Sequence, residues 1–117
     1  MSNKVIKAAF TVSNSLGVGF LEKVYENSLA HELRKAGFLV DQQKAIQIAY
    51  DGAIVGDYIA DILVEGKLLI EVKAVKALDD IHMAQCMNYL KATGMRLCML
   101  LNFGKPRLEI KRIVRAF

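Results

Sequence analysis

Proline, tryptophan and cysteine are scarce in this sequence of 117 residues, which has one proline, no tryptophan and two cysteines. The cysteines, Cys86 and Cys98, form at most one bridge and match no zinc-ligand spacing, so we expect free buried thiols in a reducing cytoplasm. The longest unbroken apolar run, Leu97 to Leu101, is far shorter than the roughly 20 residues of a membrane-spanning helix. The first ten residues also lack the apolar block of a signal peptide. These absences exclude a disulfide-stabilised scaffold and a helical membrane protein.

The composition, 54% hydrophobic and 24% charged, is typical of a globular protein. We expect one domain over residues 1–117, because two smaller units would each bury too little apolar surface. This length excludes a multidomain enzyme and a two-domain cofactor clamp, and it permits a small site on one scaffold.

Charge is distributed unevenly along the chain. Residues 1–72 contain 7 Lys/Arg and 9 Asp/Glu, a net charge of −2, whereas residues 73–117 contain 9 Lys/Arg and 3 Asp/Glu, a net charge of +6. A basic segment of this kind favours a polyanionic partner, because each neutralised phosphate releases counterions. The alternative is an ordinary solvated surface.

Hydrophobic periodicity and glycine positions divide the chain into eight elements. The pattern predicts helices over residues 3–15, 21–36 and 79–93, and strands over residues 38–50, 55–64, 67–73, 97–102 and 107–113. The order α-α-β-β-β-α-β-β indicates an α/β fold in which helices flank a mixed β-sheet.

Acidic and basic side chains interrupt two of the predicted strands, at Asp61 and at Glu71 and Lys73. Because strand side chains alternate between faces, Glu71 and Lys73 share one face. A three-residue loop made of residues 64–66, with Gly66 in the left-handed conformation, would pair Leu63 with Lys67. Asp61 would then lie opposite residue 69, diagonal to Glu71 and on its face, whereas a regular two-residue turn would place Asp61 on the other face.

Two converging carboxylates form a hard-oxygen site that suits Mg²⁺ or Mn²⁺. A neighbouring lysine can stabilise developing negative charge or help to position a water molecule. The alternative is a salt-bridge cluster on an exposed pair of strands.

Three further polar residues lie close to apolar helix faces. Glu22 falls within the predicted stripe of Leu21, Val24, Tyr25, Leu29 and Leu33, where a carboxylate needs a partner or stabilises the helix N-terminus. Gln85 and Tyr89 are four residues apart, so they lie side by side on the third helix. If they are buried they need hydrogen-bond partners, for which a phosphate, a metal-bound water or Lys73 is a candidate; the alternative is an ordinary polar flank.

Taken together, these residues are similar to those of the PD-(D/E)xK nuclease superfamily. More closely, the chain resembles the small bacterial GxxExxY proteins, whose motif stands here as Gly19, Glu22 and Tyr25. The resemblance covers nearly the whole chain, and the Gln85/Tyr89 pair also resembles a motif of RecB-like nucleases. Its further positions are Asp61, Glu71-Val72-Lys73, Gln85, Tyr89, Asn102-Phe103-Gly104 and Lys111-Arg112. Ala60 stands where the superfamily motif has proline.

The resemblance implies a restriction-endonuclease-like core and hydrolysis of a phosphodiester bond to leave a 5′-phosphate. Asp61 and Glu71, with the Val72 carbonyl, would hold one or two divalent ions. Glu22 would complete the metal shell, directly or through water.

The resemblance also assigns roles around the reacting phosphate. Lys73 would orient or activate the attacking water and stabilise the pentavalent phosphate. Gln85 and Tyr89 would position Lys73 or the scissile phosphate.

Our leading hypothesis is a nuclease dependent on Mg²⁺ (or Mn²⁺) that acts on DNA, with the basic C-terminal third beside the cleft. The alternatives are a noncatalytic nucleic-acid-binding module and a protein-interaction subunit on the same fold. A protein of this size has little surface for sequence readout, so we expect structure-guided or nonspecific binding, or a homodimer for which the first helix is the candidate interface. The expected nucleic-acid contacts are Lys76, Lys105, Arg107, Lys111 and Arg112.

Overall fold

The computed structural model describes residues 1–115 and contains the eight predicted elements in the predicted order. The helices are α1 (Ser2–Leu16), α2 (Glu22–Lys35) and α3 (Asp80–Thr93), and the strands are β1 (Val40–Tyr50), β2 (Ala53–Val64), β3 (Leu68–Lys73), β4 (Leu97–Asn102) and β5 (Glu109–Val114). The strands form one sheet in the order β1-β2-β3-β4-β5. Only the β3–β4 pair is parallel, so the predicted mixed sheet flanked by helices is confirmed.

Each face of the sheet supports its own apolar core. Side chains of β3 alternate between the two cores, so Glu71 shares a face with Leu69, as predicted. The α1/α2 core contains Val5, Ala9, Val12, Tyr25, Leu29, Leu33, Ile62, Val64, Leu68, Ile70, Val72, Met99, Leu101 and Phe103. The α3 core contains Tyr58, Ala60, Leu63, Leu69, Cys86, Leu90, Cys98 and Leu100.

The ends of α3 follow the signals in the sequence. The Asp79 side chain accepts hydrogen bonds from the backbone N–H groups of Ile81 and His82, and His82 Nδ1 accepts one from the Asp79 N–H. This reciprocal capping box satisfies donors that the first helical turn would otherwise leave unpaired. Gly94 ends the helix with φ +72°, a conformation that glycine adopts without steric cost.

The loop between β2 and β3 has three residues, but not the three that we predicted. Val64 pairs with Leu68, and Leu63 therefore pairs with Leu69 rather than with Lys67. The predicted register is wrong because Glu65, like Gly66, takes a left-handed conformation. Glu65 also donates its backbone N–H to the Leu39 carbonyl, so the strand continues through Val64 and the loop begins one residue later.

Strands β2 and β3 stay paired over only three residue pairs, from Val64–Leu68 to Ile62–Ile70. Beyond Ile62, β2 pairs with β1 alone and continues to the Asp51-Gly52 hairpin turn. The two strands therefore separate at Asp61 and Glu71. This separation positions the candidate site.

Two findings bear on the expectations from composition. Cys86 and Cys98 are both buried and free. None of the helices within residues 1–115 has the length and apolar character needed to cross a bilayer.

Candidate active site

The side-chain alternation of β2 is interrupted at Asp61. Tyr58 and Ala60 pack in the α3 core, whereas Ile62 and Val64 pack in the α1/α2 core. In a regular strand all four would share one face. The interruption brings Asp61 to the gap between β2 and β3, close to Glu71. Regular alternation would place Asp61 on the face opposite to Tyr58 and Ala60.

Donors from both neighbouring strands orient the Asp61 carboxylate. The Val72 backbone N–H of β3 donates to Asp61 Oδ2 at 2.8 Å. On the other side, Gln43 Nε2 of β1 lies 3.5 Å from Asp61 Oδ1. Asp61 therefore spans the point where β3 departs from β2, and its side chain replaces the ladder bond that the backbone no longer makes.

Glu71 is almost fully buried, with 7% of its surface exposed. Burial, followed by the nearby negative charge of Asp61, raises the pKa of Glu71 to about 8, and a hydrogen bond from the Tyr58 hydroxyl opposes this rise. Two carboxylates this close resist simultaneous ionisation. A divalent cation between them would remove that conflict.

Tyr58, which our sequence analysis did not assign to the site, links Glu71 to α3. Its hydroxyl donates to Glu71 Oε1, and its ring stacks on that of Tyr89 at a centroid distance of 3.5 Å and an interplanar angle of 14°. Burial and the charge of Glu71 raise the pKa of both tyrosines. Both hydroxyls therefore remain protonated and available as donors.

Gln85 and Tyr89 lie one turn apart on α3, but their surroundings differ. Tyr89 is half-buried against Tyr58. Gln85 is exposed, which agrees with the alternative of a polar flank at this position. Cys86, its neighbour, fills the buried position of this turn instead.

Lys73 ends β3 on the same face as Glu71 and is half-buried. A hydrogen bond from Cys98 and, to a smaller extent, the positive charge of Lys73 lower the pKa of Cys86. Lys73 therefore lies within electrostatic reach of the buried Cys86 thiol.

Glu22 is exposed at the first position of α2, and its Oε2 accepts a hydrogen bond from the Ala74 N–H at 3.3 Å. It therefore touches the chain immediately after Lys73. The predicted apolar stripe is wrong at Leu21 and Val24, both of which are exposed. The reason is that Leu21 is the extended N-cap residue, so α2 begins one residue later than predicted.

The buried acid of α2 is Glu26, which our sequence analysis did not single out. Only 4% of its surface is exposed, and it accepts hydrogen bonds from Gln42 and Gln43 at 2.7 Å each and from Lys23 at 3.3 Å. Its position three residues before Leu29 is the signal in the sequence that places it on the packed face.

Asn102 joins the loops that follow β3 and β4. It is fully buried, accepts from the N–H groups of Val75 and Gly104, and donates to the Val75 carbonyl and to Glu109. The hydrogen bond from Asn102 lowers the pKa of Glu109. The loop after Lys73 is therefore fixed by the loop after β4.

The five basic residues assigned to nucleic acid do not form one cluster. Lys76 follows β3, and Lys105 and Arg107 follow β4; because these strands are parallel, the three lie at the same edge of the sheet. Lys111 and Arg112 are consecutive residues of β5 and point to opposite faces. Ile110 packs against the α1/α2 core and Ile113 against the α3 core. Because side chains alternate along the strand, Lys111 lies on the face of α3 and Arg112 on the opposite face.

The donor chemistry of the two carboxylates suits a hard divalent ion. Glu71 Oε1 accepts from Tyr58 and Asp61 Oδ2 from Val72. A ligand would use the second oxygen of each group, and on Asp61 that oxygen makes a long 3.5 Å contact with Gln43 Nε2 and keeps a further lone pair. Among residues 1–115 there is no group of three or more His, Cys, Asp or Glu side chains that could hold a metal ion. One or two carboxylates, completed by water and substrate phosphate, are nevertheless the usual protein ligands of Mg²⁺.

The raised pKa of Glu71 predicts an unusual pH dependence of the metal-free protein. The folded state holds the Glu71 proton up to about pH 8, whereas the unfolded chain releases it near the ordinary value of about 4.3. The contribution of Glu71 is therefore complete below about pH 4, and it is lost progressively as the pH rises from there through 8, at a cost of about 5 kcal/mol. Urea denaturation between pH 4.5 and 9 measures this loss.

The same titration of Glu71→Gln is the control. We expect this neutral isostere to remove most of the decline between pH 5 and 8. A wild-type unfolding free energy that rises through this window, with no difference in the variant, would contradict the assignment of the proton to Glu71.

Comparisons with known proteins identify the family and similar folds. A family model described as the PD-(D/E)XK nuclease superfamily matches residues 1–113, and no curated protein matches. Among solved structures, one titled SSO0001 is similar with a TM-score of 0.60 and 17% identity, covering 82% of this chain and 51% of its own. An alkaline exonuclease from Laribacter hongkongensis has a TM-score of 0.59 and 17% identity, covering 80% and 56%. The chain thus spans about half the length of these two structures, which show a shared fold. The match over residues 1–113 means that the chain belongs to the PD-(D/E)XK nuclease superfamily.

Proposed function

We propose that this protein is a nuclease dependent on Mg²⁺ or Mn²⁺ that hydrolyses phosphodiester bonds of DNA. The observation that carries the proposal is the pair formed by Asp61 and Glu71 at the separation of β2 and β3. Burial, followed by the charge of Asp61, raises the pKa of Glu71, and bonds from the rest of the fold hold both carboxylates in place. The membership of the superfamily and the fold shared with an exonuclease support the same reaction class.

Asp61 Oδ1 and Glu71 Oε2, with the Val72 carbonyl, are the proposed metal ligands. A bound divalent ion would lower the pKa of a coordinated water and neutralise charge on the phosphate. Tyr58 keeps Glu71 in one orientation by donating to its Oε1. Glu22 lies beside Ala74, so we propose that it contributes through water rather than as a direct ligand.

Lys73 is the proposed partner of the reacting phosphate, because it shares the face of Glu71 and ends the same strand. Its ammonium would orient the attacking water and stabilise the negative charge that develops on phosphate oxygens. We expect Tyr89, which stacks on Tyr58, to donate a hydrogen bond to the same phosphate. Gln85, which is exposed one turn earlier, is free to meet the substrate rather than Lys73.

The loops after β3 and β4 are the proposed path of the nucleic-acid backbone. Lys76, Lys105 and Arg107 lie at the edge of the sheet that carries Lys73, and we add Lys111 on the face of α3. Arg112 lies on the opposite face, so we expect its contribution to be long-range. Contacts of this kind bind phosphates without reading sequence.

We further propose that the chain is a GxxExxY-type member of the superfamily, a single cytoplasmic domain that forms a homodimer through α1. The apolar side of α1 already packs inside the chain, through Val5, Ala9 and Val12. The dimer contact must therefore use the outer side of the helix, where Phe10 is 37% exposed.

Loss of the Asp61 carboxylate tests the proposed activity. We expect wild type to cleave linear and single-stranded DNA with Mg²⁺ or Mn²⁺ and to stop on addition of EDTA. Asp61→Asn should lose activity by about 10³-fold, because the neutral amide binds the ion poorly. Gel analysis of 5′-labelled substrates measures this loss.

Asp57→Asn is the matched control, since Asp57 is exposed on the same strand and the substitution is chemically identical. It should retain the wild-type rate. Salt-sensitive DNA binding without metal-dependent cleavage would instead indicate a noncatalytic binding module, and neither binding nor cleavage would indicate a protein-interaction subunit.

A further inference from the structure

Gln43 has an unusual backbone for a residue inside a strand. Its φ is +54°, and only two other non-glycine residues within residues 1–115 have positive φ, Asp51 and Glu65. Those two occupy tight turns, where this conformation is common, whereas Gln43 lies within β1. Residues with larger side chains rarely adopt it, and such strain often accompanies a functional constraint.

The strained residue lies directly across from Asp61. The flanking pairs are Gln42–Ile62 and Lys44–Ala60, but Gln43 and Asp61 are not themselves a ladder pair. The irregular backbone of β1 thus coincides with the interrupted alternation of β2. Both irregularities direct a side chain toward the gap between β2 and β3.

The side-chain amide of Gln43 lies between two carboxylates. Its Nε2 donates to Glu26 Oε1 at 2.7 Å and lies 3.5 Å from Asp61 Oδ1. Ionised carboxylates only accept hydrogen bonds, so the amide nitrogen, with its two N–H groups, is the end that faces them. Gln43 is therefore a neutral bridge between two negative groups.

Glu26 is buried and holds the Gln43 side chain in place. It is 4% exposed, and its other oxygen accepts from Gln42 at 2.7 Å. A buried carboxylate with several donors is costly to displace. Glu26 of α2 consequently holds the Gln43 amide nitrogen, and the same nitrogen is directed toward Asp61.

We infer that Gln43 is a positioning residue that fixes the Asp61 carboxylate for metal binding, and that Glu26 holds Gln43 for this purpose. The inference rests on the proposed metal site. With Val72 N–H on Oδ2 and Gln43 beside Oδ1, Asp61 is oriented from two strands, so that it faces Glu71 before any ion arrives. The positive φ of Gln43 is the backbone conformation that delivers this amide to the gap.

Gln43→Gly separates the side chain from the backbone, because glycine accepts positive φ without strain. We expect Mn²⁺ affinity, measured by calorimetric titration of the purified full chain, to fall 10- to 100-fold, the loss typical of partners that orient metal ligands. The melting temperature should remain close to that of wild type. Cleavage should return toward the wild-type maximum as Mn²⁺ is raised, since the reacting groups are intact.

Asp51→Gly is the matched control, because Asp51 has nearly the same φ, +52°, in the hairpin turn away from the site. It should leave Mn²⁺ affinity unchanged. Gln43→Asn, which tolerates the same backbone and keeps an amide on a shorter arm, should show an intermediate affinity. Equal Mn²⁺ binding by wild type and Gln43→Gly would overturn the inference, as would equal losses in Gln43→Gly and Asp51→Gly.

The failure of the proposed function has a different signature. If wild type and Asp61→Asn give the same Mn²⁺ heats, the metal site itself is refuted and the role of Gln43 falls with it. If Asp61→Asn abolishes the heat and Gln43→Gly does not change it, only the role of Gln43 is refuted.

Discussion

Glu71→Gln is expected to abolish metal-dependent cleavage, by about 10³-fold or more, while making the metal-free protein more stable above pH 7. The two effects have opposite signs because they concern different states of one group. The carboxylate is a ligand when an ion is present. In the metal-free protein it is a buried group whose ionisation is opposed by burial and by Asp61.

The glutamine variant keeps the shape of the side chain and the oxygen that accepts from Tyr58, and it removes the charge. We expect a gain on the order of 5 kcal/mol in the free energy of unfolding at pH 8. Urea denaturation without divalent ions and a cleavage assay with Mg²⁺ measure the two quantities on one preparation.

Glu32→Gln is a suitable control, because Glu32 pairs with the exposed Lys35 on the surface of α2, and such surface pairs contribute little. It should change neither quantity appreciably. A Glu71→Gln protein that is less stable than wild type at pH 8 would show that the carboxylate is a structural ion-pair partner rather than a site held ready for a cation.

Gly104→Ala is expected to destabilise the fold by about 3 kcal/mol and to lower the melting temperature by at least about 10 °C. A Cβ at this position would lie 2.3 Å from the Val75 carbonyl oxygen, 2.5 Å from the Val75 nitrogen and 2.7 Å from the Ala74 carbonyl carbon. All three are backbone atoms, so no side-chain rotation relieves the overlap.

The overlap falls on the chain immediately after Lys73, and Gly104 also donates to the buried Asn102. The variant should therefore lose activity even at temperatures where it remains folded, because Lys73 and the loop bearing Lys76 must move. Differential scanning calorimetry and cleavage at 15 °C test both parts.

Gly56→Ala is the control for this substitution, because a Cβ at Gly56 meets nothing within 4 Å and φ there is not positive. It should be neutral or slightly stabilising, since alanine restricts the unfolded chain. Equal stability of Gly104→Ala and Gly56→Ala would contradict the close approach of the two loops.

The sequence predicted the order of elements and the face of the carboxylate and lysine on β3. Both follow from local rules: glycines and a capping box bound α3, and Glu71 alternates with Ile70 and Val72 in a regular strand. The predicted start of α2 was one residue too early. Leu21 fits the apolar period of the helix, but it is an extended residue before the first turn and is 81% exposed.

The residues that complete the site were not predictable by the same rules. Tyr58 reaches Glu71 only because β2 changes face at Asp61, and Gln43 reaches Asp61 only through a positive φ. Both irregularities occur where β3 stops pairing with β2. A prediction from side-chain alternation assumes that the two strands stay paired, so it assigns Tyr58 and Asp61 to opposite faces.

The central claim is that Asp61 and Glu71 form one divalent-ion site, and calorimetric titration of Mn²⁺ tests it most directly. The account predicts saturable heat for wild type near neutral pH and its loss in Asp61→Asn, with Asp57→Asn unchanged. Identical titrations of wild type and Asp61→Asn would contradict it.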